Sequence, residues 1–293
     1  MHQYLRAIGF GDIQTKRVER ELLQEVEENF EYNQTIRLAN EDYREYRKKF
    51  GENIGIVMCG EINQSEEFQR EYHFPYLESK TVSSYADIIV DKRKDTESYM
   101  GICEDVRIGV NLIFYLQNPV EYMKELQDNT LSRKGSSVSL AALSLSGTVL
   151  FPIKKTPVMV QESKEQSKNR HKLLIAARKG DSLAVDSLAM EDIETYNKIS
   201  KMILCNDVFS IVDTYFIPYG VECDEYSIMG EIKELRKVEN ECTGQELYHM
   251  VLEINEMYIE LCVPKDGVLG EPEVGRRFKS VVWLQGKINF PQK

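Results

Sequence analysis

The sequence predicts an α+β protein with an N-terminal mixed α+β domain, a helical hairpin as connector and a small C-terminal β-barrel-like domain. Three observations support this class. Apolar side chains repeat at helical spacing over 18–30, whereas apolar and polar side chains alternate over 226–263, as they do in strands. A polar segment, QESKEQSKN, lies between these regions. We therefore expect an α+β domain over residues 1–160, a linker with the helical hairpin over 161–205, and the barrel-like domain over 206–293.

Length and charge limit the classes of function. A chain of 293 residues can bury a core in one large domain or in two to three small ones. Its 48 acidic and 37 basic residues give a net charge of -11, which opposes binding to nucleic acid or anionic lipid unless a local basic patch exists. No run approaches the roughly 18 apolar residues of a membrane span, and MHQYLRAIGFGDIQTK lacks the apolar stretch of a signal peptide. We expect a cytoplasmic protein with no membrane partner.

The residue types that bind metals or perform catalysis are scattered. The six cysteines lie at least eighteen positions apart, which excludes CxxC motifs, and their apolar contexts are typical of reduced, buried thiols. The four histidines show no HExxH or HxH spacing, and the chain has no G-x-S-x-G elbow and no phosphate loop. The sequence therefore predicts no catalytic residue, no metal site and no cofactor, although a site could still assemble from distant residues.

The N-terminal region reads as helices followed by strands. Val18, Leu22, Val26 and Phe30 mark one face of a helix, and the charged segment from Asn40 to Phe50 predicts a surface helix. Strands are predicted at IGIVMCGEI, YADIIVD and VRIGVNLIFYLQ.

Two further elements complete this region. Asn118 and Pro119 fit the N-cap and first position of a helix. The segment SSVSLAALSLSGTVLFPI predicts a β-hairpin that turns at Ser146-Gly147. After the polar linker, a helix ends at Gly180 and Asp181 starts the next one, which gives a lone helical hairpin.

The C-terminal region predicts a meander of strands. One strand runs from Tyr226 to Val238, a tight turn at Asn255-Glu256 joins the next two, and FKSVVWLQGKINF is the last strand. Such a meander favours a small barrel, because closure removes exposed strand edges. An oligonucleotide-binding-type barrel and an SH3-like barrel both fit the pattern.

The stretch YFIPYGVECDEYSIMGEI raises the question of an active site, since Cys223 lies between two acids. Acidic neighbours raise the pKa of a thiol, however, and no histidine is near in sequence. Val221 and Cys223 would instead point inward from a strand, and Gly230 would allow a bulge. The packing interpretation is favoured.

Two basic segments contrast with the acidic chain. Eight Lys and Arg residues lie between 153 and 180, against two Glu. In the last nineteen residues, five bases occur without an acid. Bases and aromatic rings there could form a surface that stacks on bases and binds phosphates; its candidate residues are Arg276, Arg277, Phe278, Lys279 and Trp283. Pairing of these bases with the protein's own acids is the simpler alternative.

Five segments together resemble one family: HQYLRAIGF, AARKGDSLAVDSLAMEDIETY, YFIPYGVECDEYSIMGEI, LGEPEVGRRF and VWLQGKINF. The chain is similar, over nearly its whole length, to a family of hypothetical proteins from clostridial-type Firmicutes that is catalogued as a domain of unknown function. The resemblance implies no functional residues. It leads us to expect a glycine where Ser280 stands here, a difference that matters little on a strand.

Three functions follow as hypotheses. A non-catalytic protein that binds another protein or a small ligand fits best, because catalytic signatures are absent and small barrels often serve as binding modules. The alternative is single-stranded nucleic-acid binding through the C-terminal barrel. The third is an enzyme whose site assembles from distant residues.

Overall fold

The computed structural model describes residues 2–13, 15–38, 42–63, 65–93, 96–128, 135–153, 156–204 and 207–291. Helical elements are a 3-10 helix Gln3–Ile8, α1 Lys16–Glu28, α2 Pro119–Gln127, α3 Pro157–Arg178, α4 Ser182–Ile203, α5 Val208–Ile211 and a 3-10 turn Lys265–Gly267. Within the described ranges, no helix has both the length and the apolar character that a membrane span requires. The strands are β1 Tyr32–Arg37, β2 Asp42–Gly51, β3 Ile54–Ile62, β4 Phe68–Leu77, β5 Ile88–Lys92, β6 Tyr99–Glu104, β7 Asn111–Leu116, β8 Ser137–Leu150, β9 Tyr215–Pro218, β10 Glu225–Glu239, β11 Glu246–Ile254, β12 Met257–Pro264, β13 Val268–Leu269 and β14 Arg277–Asn289.

The N-terminal sheet is antiparallel, with the strand order β1-β2-β3-β4. Helix α1 covers it and buries Leu22, Leu23 and Val26, so the predicted helix is present. Of its predicted apolar face, Val18 is exposed, and Phe30 lies beyond the end of the helix and is also exposed. Thr15 begins that helix, and its hydroxyl accepts a hydrogen bond from the Val18 N–H at 3.4 Å.

The surface helix predicted from Asn40 to Phe50 is wrong. Asn40 lies outside the described residues, and Asp42–Gly51 is β2, which pairs with β1 on one side and β3 on the other. Tyr43 and Glu45 on one face and Tyr46 on the other are buried, so both faces of this strand are partly covered. Pairing on both edges overrides the helix propensity of its Arg, Glu and Lys residues.

The barrel predicted from the C-terminal alternation is present and closed. The meander β10-β11-β12 is antiparallel, β14 flanks β10, and β8 pairs with both β12 and β14 to complete a five-stranded circuit. The turn at Asn255-Glu256 has φ of 49° and 63° at its two residues, as a tight hairpin requires. The predicted bulge in β10 falls between Ile232 and Glu234, just beyond Gly230.

Strand β8 corrects the hairpin predicted at Ser146-Gly147. Ser137–Leu150 is one continuous strand of 14 residues, paired with β14 from Arg277↔Leu150 to Asn289↔Ser137. Gly147 is needed for packing instead of turning, since a Cβ there would lie 2.1 Å from Cζ of the buried Phe278 ring. The barrel thus takes one strand from the segment assigned by sequence to the first domain. The predicted domain boundaries stay a prediction, and that at 205/206 lies outside the described residues.

The helical connector is partly as predicted. Gly180 has φ of +90° after α3, and Asp181 caps α4 by accepting hydrogen bonds from the backbone N–H groups of Leu183 and Ala184. The polar segment 161–169, predicted as the linker before the helices, lies inside the 22-residue helix α3. Lys154 and Lys155 of the predicted basic segment lie outside the described residues.

Two apolar cores hold the fold together, one inside the barrel and one between the barrel and the N-terminal sheet. Two buried amides join the layers at their boundary. Gln117 Nε2 donates to Leu77 O and to Gln285 Oε1, each at 2.9 Å, and Gln285 Nε2 donates to Pro75 O at 2.7 Å. These hydrogen bonds engage both buried amides and fix β4 against β7 and β14. A cleft opens beside this junction, because Tyr115, which pairs with Gln285, is part of its lining.

Candidate functional site

A cleft of about 320 Å³ opens where the 3-10 helix Gln3–Ile8, the N-terminal sheet and the ten-stranded sheet that includes the barrel strands meet. This volume lies at the lower end of the range for small-molecule pockets. Its lining comes from distant parts of the chain: His2, Gln3, Tyr4, Tyr72, His73, Arg93, Thr96, Ser98, Tyr115, Glu222, Asp224, Glu225 and Trp283. The third hypothesis needed a concave site at which titratable groups converge, and the cleft is such a place.

Asp224 organises one wall of the cleft. The residue is 3% exposed, and its Oδ2 accepts hydrogen bonds from Trp283 Nε1 at 2.9 Å and from Arg93 Nη1 at 3.1 Å. Arg93 Nη2 also lies 3.4 Å from Glu222 Oε2. Because the one guanidinium of Arg93 is shared by the carboxylates of Glu222 and Asp224, these three side chains together have a net negative charge.

Glu225 adds a third carboxylate, held by neutral donors. Its Oε1 accepts a hydrogen bond from the Tyr4 hydroxyl at 2.8 Å and one from Gln3 Nε2 at 3.3 Å. Burial, followed by the adjacent Glu225 carboxylate, raises the pKa of Tyr4 far above its ordinary value, so the phenol remains a donor at neutral pH. Among the described residues, no basic side chain pairs with Glu225.

Aromatic rings form the floor. The rings of Tyr4 and Trp283 are stacked at 5.3 Å between centroids, and Tyr115 meets Trp283 edge to face at 5.0 Å. The His2 ring lies 4.7 Å from the indole ring. Ring faces of this kind attract cations through their quadrupole, with Trp the most effective.

The two imidazoles of the cleft carry no charge near neutral pH. Burial, with the nearby His73 as the second cause, lowers the pKa of His2 to about 3. Burial also lowers the pKa of His73, together with Arg70 and against the opposing effect of Glu19, whose Oε1 lies 3.4 Å from His73 Nε2. The histidines therefore leave the net charge of the cleft negative.

A cleft with aromatic walls and an excess of carboxylate suits an organic cation. Three carboxylates and one guanidinium line it, while its histidines are neutral. Over the described ranges, no group of three or more His, Cys, Asp and Glu side chains is arranged to hold a metal ion.

A second cavity, of about 520 Å³, lies between α3 and the barrel and is lined by basic residues. Its two arginines already have hydrogen-bond or ion-pair partners within the protein. Arg107 is hydrogen-bonded to Asp105 and to the Glu256 and Ser83 carbonyls, and Arg170 pairs with Asp192 at 2.8 Å. Lys168 and Lys172 also line this cavity, so its charge is positive and opposite in sign to that of the acidic cleft.

The five residues predicted as a nucleic-acid surface are placed apart. Phe278 is fully buried inside the barrel, and Trp283 belongs to the cleft. Arg277 is 5% exposed and donates to the carbonyls of Phe151, Val212 and Phe209, at 3.0, 2.8 and 2.7 Å.

The other two predicted bases lie nearer the surface. Arg276 pairs with Glu273 at 2.9 Å, and Lys279 Nζ lies 4.4 Å from the centre of the Phe209 ring. The structure brings Arg277 and Lys279 together near α5, whereas Trp283 lies elsewhere. Nucleic-acid binding through these residues stays a prediction.

The stretch YFIPYGVECDEYSIMGEI contributes three carboxylates to the cleft, which sequence reasoning missed. The prediction that Val221 and Cys223 point inward from a strand is wrong, since Val221 is 100% exposed and Cys223 is exposed in the turn before β10. Cys223 does not line the cleft, and burial followed by the Asp224 carboxylate raises the pKa of its thiol. The feature of the sequence that could have indicated the cleft is the high density of acids beside several tyrosines. It indicates a site only once the fold has placed the single tryptophan against this segment.

The fold and the cleft define an α+β protein in which a closed five-stranded barrel borders a site of small-molecule size. A family model described as a domain of unknown function and named after an E. rectale gene, DUF3881, matches residues 5–286. The chain belongs to this family, which confirms the resemblance to clostridial-type proteins of unknown function. Searches of curated proteins and of solved structures each found no match.

Proposed function

We propose that this protein is a binding protein whose cleft takes a small organic cation, such as a primary or quaternary amine. One observation carries the proposal: the Glu225 carboxylate lies in an aromatic-lined cleft, and the described residues supply it with hydrogen bonds but with no basic partner. A bound ammonium group would supply the missing charge and contact the ring faces.

The size and the fixed geometry of the cleft support a small ligand. Tyr4 and Gln3 hold the Glu225 carboxylate, and Trp283 and Arg93 hold Asp224, so the acidic wall needs little rearrangement on binding. Preorganised groups lose less conformational entropy when a ligand binds. The arrangement disfavours anions, because the carboxylates outnumber the one guanidinium.

The single tryptophan allows a direct test. Trp283 lines the cleft, so its fluorescence is titrated with ethanolamine, choline and putrescine, and with acetate as the anionic comparison. We expect saturable emission changes with at least one amine and none with acetate. Glu225→Gln should weaken binding at least about tenfold, which corresponds to about 1.4 kcal/mol. Glu241→Gln, an exposed acid outside the cleft lining, is the matched control. The proposal is rejected if no amine binds or if Glu225→Gln binds as the wild type does.

An enzyme that acts on the same ligand is the second candidate. The observation that favours it is the uncharged imidazole of His73 in the lining, since neutral imidazole is a common general base, whereas His2, with a pKa of about 3, is too weak a base near neutral pH. Mass spectrometry of a binding amine after prolonged incubation with the protein distinguishes the two functions. A product that His73→Gln abolishes, with binding retained, would establish the enzyme. If the amine is recovered unchanged, the protein binds the amine without transforming it.

A further inference from the structure

A groove runs between α3 and the end of the barrel. The cavity of about 520 Å³ adjoins another of about 420 Å³, and the two share the lining residues Val106, Arg107, His171 and Glu256. We call the two cavities together the α3 groove. Each volume lies within the range of small-molecule pockets, and neither cavity includes a residue of the acidic cleft. The groove is therefore a separate candidate site.

One wall of the groove is a face of α3. Ser167, His171 and Leu174 line it at spacings of four and three residues, so they follow one line along the helix. Lys168 and Lys172 also line it, and because they are four residues apart they lie together on one flank of this line. The helix thus presents two neighbouring ammonium groups to the groove.

These two lysines have no counter-charge. Neither forms a hydrogen bond or an ion pair with another residue in the part of the chain that the structure describes. Helix α3 also carries the acids Glu162 and Glu165, but neither lines the groove, and Glu165 accepts a hydrogen bond from Gln161 at 2.8 Å. An anionic group in the groove would supply the missing charge through charge-assisted hydrogen bonds.

The other bases of the larger cavity are paired inside the protein. Arg107 Nε donates to Asp105 Oδ1 at 2.9 Å, and Arg170 lies 3.6 and 2.8 Å from two acids of α4. Glu256 is the one acid that lines this cavity, and it belongs to the turn between β11 and β12, on the barrel side. The place for an anion is therefore beside the two lysines of α3.

The smaller cavity offers aromatic rings. Tyr85 is 80% exposed and Tyr258 is 40% exposed, and both line this cavity. Arg107 fixes the loop before Tyr85, because it donates to Ser83 O at 2.7 Å and to Glu256 O at 2.8 Å. Exposed tyrosine rings on a fixed support are the surfaces on which nucleic-acid bases stack.

The charges give a ligand one orientation. Three acids, Glu104, Asp105 and Glu256, line the smaller cavity, against the single guanidinium of Arg107. An anion is therefore disfavoured at the aromatic end of the groove and favoured at the lysine end. A ligand that fits both ends has an uncharged ring at one end and an anionic group at the other.

Helix α3 is held over the groove at both of its ends. Arg277 donates to the carbonyl of Phe151, before α3, and to that of Phe209, after α4, so it ties the base of the hairpin to the barrel. At the other end of α3, Arg178 lies 3.6 Å from Glu104 of β6. Because the wall with the two lysines is already held, a ligand loses less free energy in ordering it.

We propose that the α3 groove binds a nucleotide, with the phosphates against Lys168 and Lys172 and the base against the rings of Tyr85 and Tyr258. The lysines supply the charge that phosphates need, and the tyrosines supply the stacking surface that a base needs. The chain has a net charge of -11, which opposes a long polyanion that extends beyond the groove. A single nucleotide is therefore favoured over a nucleic-acid strand.

Isothermal titration calorimetry of the full chain with ATP in magnesium-free buffer tests the proposal. We expect ATP to bind more tightly than pyrophosphate or adenosine, which represent its two parts. The double variant Lys168→Glu, Lys172→Glu should weaken ATP binding at least about tenfold. The control Lys179→Glu, Lys201→Glu changes the net charge equally, at exposed lysines of the same hairpin that do not line the groove, and it should bind ATP as the wild type does.

Tyr85→Ser separates the base contact from the phosphate contact. It should weaken ATP binding at least about fivefold and leave pyrophosphate binding unchanged, because it removes stacking but keeps the lysines. Tyr196→Ser, at a tyrosine that is 72% exposed outside the groove, is the matched control. Glu225→Gln should leave ATP binding unchanged, so the result does not depend on the proposed amine site. Circular dichroism checks that each variant is folded.

Four outcomes would overturn the proposal. The first is a wild-type protein that gives no heat of binding with up to about 1 mM ATP. The second is equal ATP affinity of the two lysine double variants. The third is a Tyr85→Ser protein that binds ATP as the wild type does, because the base would then lie elsewhere. The fourth is a thymidine oligonucleotide that binds more tightly than ATP, since the ligand would then be a nucleic-acid strand.

Discussion

The indole N–H of Trp283 and the guanidinium of Arg93 converge on one oxygen, Oδ2 of Asp224, at 2.9 and 3.1 Å. Through this oxygen the turn before β10 is tied to β14 and to the segment between β5 and β6. The backbone adds a further tie, because Asp224 O accepts a hydrogen bond from Leu284 N at 2.9 Å. Asp224 is thus a structural support of the cleft, whereas Glu225 beside it remains available to a ligand.

Asp224→Ala should lower the free energy of unfolding by about 3 kcal/mol. The change removes the Asp224 carboxylate from a mostly buried guanidinium and leaves the indole N–H without this acceptor, and breaking such a pair costs roughly 3–5 kcal/mol. Urea denaturation followed by Trp283 fluorescence measures the loss. Cys223→Ala, one residue away and exposed, should change stability by less than about 0.5 kcal/mol. Equal effects of the two substitutions would show that Asp224 does not support the cleft.

Glu260 should make the protein sensitive to acid. Burial raises the pKa of Glu260. Hydrogen bonds from His249 at 2.8 Å and from the Lys80 N–H at 2.7 Å lower it by more than burial raises it, so the net pKa is about 2. A pKa below the ordinary 4.5 means that the ionised form stabilises the fold above pH 4.5, and that this contribution is lost as pH falls toward 2. The contribution is about 3 kcal/mol, at 1.36 kcal/mol for each pKa unit.

Urea denaturation of wild type and Glu260→Gln between pH 2 and 7 checks this dependence on pH. We expect the variant to be less stable at pH 7 and the two curves to converge as pH falls below about 4, because protonation then removes the same charge from the wild type. Glu241→Gln, an exposed acid, should follow the wild type throughout. Parallel curves for wild type and Glu260→Gln would contradict the assignment.

Gly147→Ala distinguishes the continuous strand β8 from the hairpin that the sequence suggested. A methyl group at 147 would lie 2.1 Å from the Phe278 ring, which is fully buried, and such overpacking costs roughly 1–3 kcal/mol. We expect a loss of about 3 kcal/mol in urea denaturation. At Gly11 the nearest atom to an added Cβ is a Gln245 side-chain oxygen at 3.2 Å, so Gly11→Ala should cost less than about 1 kcal/mol. A tolerant Gly147→Ala protein would argue for a turn at that position.

Arg277→Ala and Arg276→Ala are adjacent changes with different expected costs. Arg277 is buried and donates hydrogen bonds to three backbone carbonyls. Its loss leaves these acceptors unsatisfied and should lower the free energy of unfolding by about 3 kcal/mol. Arg276 makes a surface pair with Glu273, so its loss should cost less than about 1 kcal/mol. Arg277→Lys should not restore stability, because an ammonium cannot reproduce the planar fork. If Arg277→Ala unfolds at the same urea concentration as Arg276→Ala, the anchoring role is wrong.

The C-terminal barrel strands were predictable because they are joined by short turns and alternate cleanly. The short turn at Asn255-Glu256, for example, is enough to predict that β11 and β12 pair with each other. Strand β8 is different. Its partners β12 and β14 lie more than a hundred residues further along the chain, so no local pattern indicates that its small apolar residues close a barrel.

The cleft was not predictable for a related reason. Tyr4 and Glu225 are 221 positions apart in sequence, yet their side chains share a hydrogen bond. Glutamates and aspartates are abundant throughout the chain, so Glu222, Asp224 and Glu225 carried little information until the fold placed Trp283 beside them. The missing knowledge was long-range pairing, which one sequence does not encode in a local pattern.

Strand β14 pairs with three strands, β7, β8 and β10, and it supplies both the Gln285 amide and Trp283. During synthesis, β8 lacks its long antiparallel partner until β14, more than a hundred residues later, has left the ribosome. Closure of the barrel therefore cannot precede the synthesis of β14, and a chain cut before Arg277 would lose the circuit, the cleft floor and the bridge between the layers in one step.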